Sequence, residues 1–151
     1  MTQISILDAP FSPLPLLEAF ATPRRGAGAL ASFTGYCRAK ASGGEAIAAL
    51  ELTHYPGFTE RMIADFAHPI AARCGLLDWM IVHRVGRVLP EESIVLVAAL
   101  APHRTEAFEA VETLMDFLKT DAPFWKREHR ANGAHWIEPT ALDHKRRETR
   151  T

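Results

Sequence analysis

Residues 93–119 read SIVLVAALAPHRTEAFEAVETLMDFLK. From Ser93 to Leu100 the run is almost continuously apolar, which predicts a central strand buried on both faces. Beyond Pro102 the period changes. Phe108, Val111, Leu114, Met115 and Leu118 recur at helical spacing and predict a helix over Thr105–Lys119 with an apolar stripe. Glu106, Glu109 and Glu112 occupy its first half and Lys119 its end, the arrangement that a helix dipole favours.

Working outward, Leu77–Val85 predicts a strand and Gly86–Pro90 a turn before the central strand. A helix over Thr59–Cys74 precedes them, with Met62, Phe66, Ile70 and Cys74 as its buried stripe. Pro69 should kink or divide it, since proline removes an amide donor and crowds the preceding turn. Ile47–His54 predicts a strand with Ile47, Ala49 and Glu51 on one face and Leu50 and Leu52 on the other; Glu51 is then an edge charge or a pocket carboxylate. Ala27–Arg38 predicts a strand entering a flexible loop that holds Ser42-Gly43-Gly44. Ile4–Leu7 predicts a short edge strand, and Leu14–Phe20 a short helix among Pro10, Pro13, Pro15 and Pro23. Downstream, Pro123 stops the long helix, Phe124-Trp125 form a rigid aromatic turn, and Trp136-Ile137 a last short strand. The order implies one α+β domain over residues 1–142, with a charged tail over 143–151 that frays.

Composition narrows the function. The chain has 151 residues, a formal net charge of −1 and 48% apolar residues, so it can bury a real core but has no general basic face for nucleic acid. Cys37 and Cys74 make neither a disulfide framework nor a zinc motif. No apolar run approaches the roughly 20 residues of a spanning helix, and no basic region opens the N-terminus. A cytoplasmic protein, off the membrane, is expected.

Positive charge is concentrated around the long helix. His103-Arg104 stand just before it, where free amides attract anions and Arg104 adds a bidentate donor. Lys119 closes it, and Lys126-Arg127 follow the aromatic turn. Lys126 held near Lys119 would have a depressed pKa and become a candidate nucleophile or base; otherwise Lys119 merely compensates the dipole. Arg127 is a candidate phosphate clamp. His103 and Lys119 lie about 24 Å apart along a straight helix, so they serve different sites or a composite site between two subunits. Arg38 is a further phosphate contact or a solvated strand end, and Gly35 permits close backbone approach to a ligand. Cys37 is a thiol activated by Arg38 or a small buried hydrophobe. His54 and His83 read as structural or pocket-lining; with His103 they form no metal-binding motif, and no metal is expected.

The segments ASFTGYCR (31–38), LTHYPGFTERM (52–62), IVHRVGRV (81–88), APHRTEAFEA (101–110) and MDFLKTDAPFWKRE (115–128) together resemble the large, catalytic subunit of molybdopterin synthase, the MoaE-like family. The resemblance runs from about Gly26 to Trp136. It implies a hammerhead-type α+β domain with an antiparallel or mixed sheet and two principal helices. It also implies a homodimer, and a heterotetramer with two small ubiquitin-like sulfur-carrier subunits ending in Gly-Gly. The implied reaction moves sulfur from the carrier's thiocarboxylate to cyclic pyranopterin monophosphate, giving the molybdopterin dithiolene, with no permanently bound cofactor. Lys119 and Lys126 would be catalytic. Arg38, His103, Arg104 and Arg127 would bind substrate with them, His103 and Arg104 coming from the partner subunit. Phe33, Tyr36, Cys37 and Trp125 are possible pocket residues. The sequence departs from the family pattern at Tyr36-Cys37, usually Lys-Val, and at Thr53 and Arg87, each usually Glu. A non-catalytic adaptor for a ubiquitin-like tail and an anion- or RNA-binding module are the alternatives.

Overall fold

The computed structural model describes residues Gln3–Thr149. In chain order the elements are β1 (Ile4–Leu7), α1 (Pro13–Ala21), β2 (Ala29–Tyr36), β3 (Ile47–His54), α2 (Phe58–Arg73), β4 (Asp78–Arg84), β5 (Gly86–Val88), β6 (Ser93–Ala101), α3 (Arg104–Thr120), β7 (Phe124–Arg130), β8 (Gly133–Ile137) and α4 (Ala141–Thr149). They form two four-stranded sheets, ordered β1-β4-β6-β2 and β5-β3-β7-β8. The apolar run of β6 lies inside the first sheet, antiparallel to both β2 and β4, while β1 is a parallel edge strand on β4.

Alternation along β6 serves two cores. Val95, Val97, Ala99 and Ala101 face α2 and α3, packing with Ile63, Ala67, Ile70, Leu114 and Phe117. Leu96, Ala98 and Leu100 face the other way, onto Phe20 and Ala21 of α1. A third cluster, Cys37, Ile47, Leu50, Leu52, Val85 and Val88, lies along the second sheet. Among the described residues no helix is long and apolar enough to cross a membrane.

Several expectations need correction. Pro69 does not divide α2, which runs through it. It is exposed near the C-terminal end of the helix, where losing one intrahelical hydrogen bond is least costly. The buried stripe of α2 is Thr59, Ile63, Ala67, Ile70 and Cys74, so Met62 lies outside it. Phe108 of α3 is likewise exposed, at 64%, and Ala107 takes its place in the core. A bulge between Ile47 and Ala49 turns Ile47 onto the face of Leu50 and Leu52. The segment read as an aromatic turn at Phe124-Trp125 opens β7 instead, and part of the turn read after Val85 is β5.

Over its described length the C-terminal tail forms α4. Thr140 and Asp143 cap α4 reciprocally: the Thr140 N–H donates to Asp143 Oδ2 at 3.0 Å and the Asp143 N–H to Thr140 Oγ1 at 3.1 Å. Arg147 then ties α4 to the body, with Nε 3.0 Å from Asp121 Oδ2 and its guanidinium 4.7 Å from the Phe66 ring centre. The tail carries few apolar residues, so these polar anchors do what burial does elsewhere. Residues 150 and 151, also expected to fray, lie outside the described residues.

Candidate active site

A cavity of about 430 Å³ opens where the two sheets meet the C-terminal end of α3. Four elements supply its polar side chains. The β2 end and the residues after it bring Phe33, Tyr36, Cys37 and Arg38; α3 brings Lys119 beside Met115 and Leu118; β4 brings His83; β7 brings Lys126 and Glu128. Lys126 and Glu128 reach it together because alternate residues of a strand share a face. Leu52 and Ile137 flank Lys126 in register, and Leu50 flanks Glu128.

Three cations therefore meet: Arg38 and Lys119, both exposed, and the half-buried Lys126. Lys126 bears the electrostatic consequence. Burial, with the nearby Lys119 and Arg38 charges, pulls its ammonium down to about 8, against a smaller opposing pull from Asp143 on α4. Asp143 itself is held below the ordinary carboxylate range: burial opposes ionisation, but the Thr140 hydrogen bonds and the Lys119 charge outweigh it.

His83 forms the floor. It is buried, stacks on Phe124 at 3.9 Å between ring centres, and hydrogen-bonds the Arg84 carbonyl through Nδ1 at 2.8 Å. Burial lowers its pKa to about 3, against the pull of that hydrogen bond, and Lys126 and His54 lower it further. The ring is thus neutral and donates from Nδ1, which leaves Nε2 as an acceptor.

The remaining sequence candidates divide cleanly. Cys37 lines the cavity but is buried, and burial raises its thiol pKa, assisted by Glu128 and Glu92. A raised pKa opposes thiolate chemistry, so the packed-hydrophobe alternative holds. Gly35 lies at a bulge where an added Cβ would come within 2.9 Å of Val95 Cγ1, so packing favours glycine there. Arg127 and Trp125 point to the opposite face of β7 and line no part of the cavity. Arg127 pairs with Glu51 at 3.6 Å and covers the Trp136 ring at 5.2 Å; Trp125 meets Tyr55 edge-on at 4.8 Å. Glu51 is accordingly an outer-face charge. His103 and Arg104 are exposed at the far end of α3, where the His103 side chain makes no cap hydrogen bond. They do not reach the cavity of their own chain.

Glu128 carried no sequence signal as a site residue, because it sits among charged residues in KREHR. His83, legible from the sequence as a structural or pocket-lining histidine, lines the cavity. Among the departures from the family pattern, Tyr36 touches the cavity and is 59% exposed, whereas Arg87 lies opposite Glu51 on the outer face.

The family model described as MoaE protein matches residues 6–121. The chain belongs to the MoaE family. The match ends short of Lys126, which joins the site through the geometry of β7. Among MoaE relatives, the molybdopterin synthase catalytic subunit of Caulobacter vibrioides is 50% identical over 140 residues, covering 93% of this chain and 91% of that protein. The molybdopterin biosynthesis MoaE protein from Burkholderia ambifaria MC40-6 superposes with a TM-score of 0.79 at 39% identity, covering 97% of each chain. Molybdopterin synthase from Staphylococcus aureus gives 0.80 at 29% identity, over 91% of this chain and 98% of that one. This MoaE chain is therefore a molybdopterin synthase catalytic subunit by family, an enzyme subunit with a single α+β domain.

Proposed function

We propose that this subunit moves sulfur from the C-terminal thiocarboxylate of a small ubiquitin-like carrier ending in Gly-Gly to cyclic pyranopterin monophosphate, forming the molybdopterin dithiolene. The observation that carries this is the convergence of Lys119, Lys126 and Arg38 from three separate elements on one cavity. An anionic tail and an anionic substrate both need such a place, and a chain of net charge −1 provides it only locally.

The carrier supplies the nucleophilic sulfur, so the subunit needs no cysteine of its own and no permanently bound cofactor. Lys119, exposed at the cavity rim, receives the tail. Lys126, with a pKa of about 8, is mostly protonated near neutrality yet gives up its proton more readily than an ordinary lysine. That suits a group which stabilises negative charge during attack and then protonates a leaving oxygen. Arg38 holds the phosphate.

His103 and Arg104 enter from a second copy of the chain. The 17-residue α3 keeps them about 24 Å from Lys119 within one subunit, and both are solvent-exposed, available to a partner's cavity. A homodimer with composite sites follows, and with one carrier at each site a heterotetramer, working in the cytoplasm.

The test supplies the purified chain with a thiocarboxylated carrier and cyclic pyranopterin monophosphate and follows the dithiolene product by mass spectrometry. Product is expected from the wild type and none from folded Lys119→Ala. Near-normal turnover by K119A would refute the lysine-centred mechanism. Carrier binding without product in the wild type would leave only a tail-binding adaptor.

A further inference from the structure

Arg84, at the end of β4, is a buried charge outside the cavity, its side chain only 5% exposed. A buried guanidinium is tolerated where it is paired and hydrogen-bonded. Its partners lie in β5 and the turn that follows. Nη2 donates to the Arg87 carbonyl at 2.7 Å and Nη1 to Glu92 Oε2 at 3.1 Å. The same Oε2 accepts the Leu89 N–H at 3.0 Å.

The turn clamped in this way needs holding. The Glu92 N–H donates to the Leu89 carbonyl at 3.1 Å, and between them Glu91 adopts a φ of 74°. That left-handed backbone is strained for a residue with a Cβ and persists where surrounding contacts impose it.

Cys37 carries the clamp to the cavity. The β2–β6 ladder is irregular between Gly35 and Tyr36, and beyond it the turn becomes the partner of the chain. The Cys37 N–H donates to the Glu92 carbonyl at 2.9 Å, and the Glu91 N–H to the Cys37 carbonyl at 2.7 Å. Arg38 follows immediately. On its other side the Ile47 N–H donates to the Ala39 carbonyl at 2.9 Å, tying the loop to β3. Among the described residues, no hydrogen bond or ion pair holds the Arg38 guanidinium, so the backbone alone fixes where it starts.

We infer that Arg84 and Glu92 are positioning residues for the substrate's phosphate: they hold the 89–92 turn, which sets Cys37 and through it Arg38. Neither touches substrate. The inference rests on the phosphate-holding role proposed above for Arg38.

The test follows sulfur transfer by the dimer with each substrate varied in turn. Glu92→Ala releases the turn. It should raise KM for cyclic pyranopterin monophosphate about tenfold, the scale of one hydrogen bond to a charged group, with kcat nearly unchanged. KM for the thiocarboxylated carrier, which Lys119 receives, should stay at the wild-type value. Glu92→Gln keeps an oxygen that can accept from both Arg84 and Leu89, and should bring KM most of the way back. Arg38→Ala should itself raise KM, and adding E92A should raise it no further, because both act through one guanidinium. Glu92→Asp is one methylene too short to span both donors, and carries the same test should E92A fail to fold. An unchanged KM for the cyclic phosphate in folded E92A or E92D overturns the inference, as does a rise shared equally by the carrier. So does an R38A/E92A protein whose KM exceeds that of R38A by the full factor. R38A with a wild-type KM also overturns it, yet leaves the sulfur-transfer reading standing. A wild type that forms no dithiolene removes that reading, and this inference with it.

Discussion

Replacing Lys126 by methionine should make the protein more stable, because the fold holds this ammonium at a cost. Its pKa falls from 10.5 to about 8 on folding, chiefly through burial and then through the Lys119 charge. At about 1.4 kcal/mol per pH unit that drop corresponds to roughly 3 kcal/mol. The side chain keeps some contact with water, so screening reduces the figure to about 1–2 kcal/mol. For a lysine with a depressed folded pKa, the unfolded chain binds the proton more tightly, so stability rises with pH between the two values. The penalty is fully present below pH 8 and fades as pH climbs from 8 toward 10.5. Methionine has similar length and no charge to desolvate. Urea unfolding at one fixed protein concentration should therefore show K126M more stable than wild type by about 1–2 kcal/mol at pH 7, with most of the difference gone by pH 10. The exposed Lys145 on α4, changed to methionine, should show neither effect. A K126M protein no more stable than wild type at pH 7, or a difference independent of pH, would refute the account of a strained functional lysine.

Mixing inactive K119A and H103A dimers should restore activity, since exchanged heterodimers contain one intact composite site and one doubly damaged site; verified exchange without recovery would rule out sharing of the site. Cys37→Ser should cost about 1–2 kcal/mol for burying a hydroxyl yet keep substantial turnover, and near-total loss of turnover in a folded variant would restore a role for the thiol. His83 is held neutral, with a folded pKa near 3 against 6.5. Its contribution is complete above about pH 6.5 and is lost as acid protonates the unfolded chain. Urea midpoints should fall below pH 6.5 more steeply in wild type than in His83→Asn, and parallel profiles would show that His83 does not carry this acid sensitivity.

Most of the framework was legible because its signals are long and redundant. The β6 run and the α3 stripe each rest on several residues, and their bounds moved by only a residue or so. Errors came where one residue decided the outcome. The four-residue spacing of Met62, Phe66, Ile70 and Cys74 drifts about 40° per step around a helix, so Met62 leaves the buried face by the end of the series. Phe108 leaves the α3 stripe by three-residue steps to Val111 and Leu114, each of which drifts about 60° in the opposite sense. β7 escaped notice because its inner face carries Lys126 and Glu128, where an ordinary half-buried strand would show apolar residues. The local rule fails where the site needs charge, as expected at functional positions. Arg127 was misplaced with β7: once the segment is a strand, neighbours of Lys126 must face away from it. The separation of His103 from Lys119 was legible from the start, since it needs only the rise of a helix.

The charge pattern would let the cavity favour an anion in a nearly neutral chain. Outside it, charges are largely matched in pairs: Arg73 with Glu109, Arg84 with Glu92, Arg127 with Glu51, Arg147 with Asp121. Around the cavity the arrangement is unbalanced. Glu128 is already engaged by Arg130, and Asp143 stands from α4 as a partial counterweight to Lys119 and Lys126. The depressed pKa of Lys126 reflects its burial first, and then the Lys119 and Arg38 charges that Asp143 only partly offsets. Under the proposed function, an arriving carboxylate-like tail or phosphate would relieve that imbalance and replace hydration the buried ammonium lost, turning the strain into affinity for anions. A site built from matched ion pairs would be more stable and would attract neither ligand. The backbone fixes where both cations start, Lys126 at an inward strand position and Lys119 in the last turn of α3.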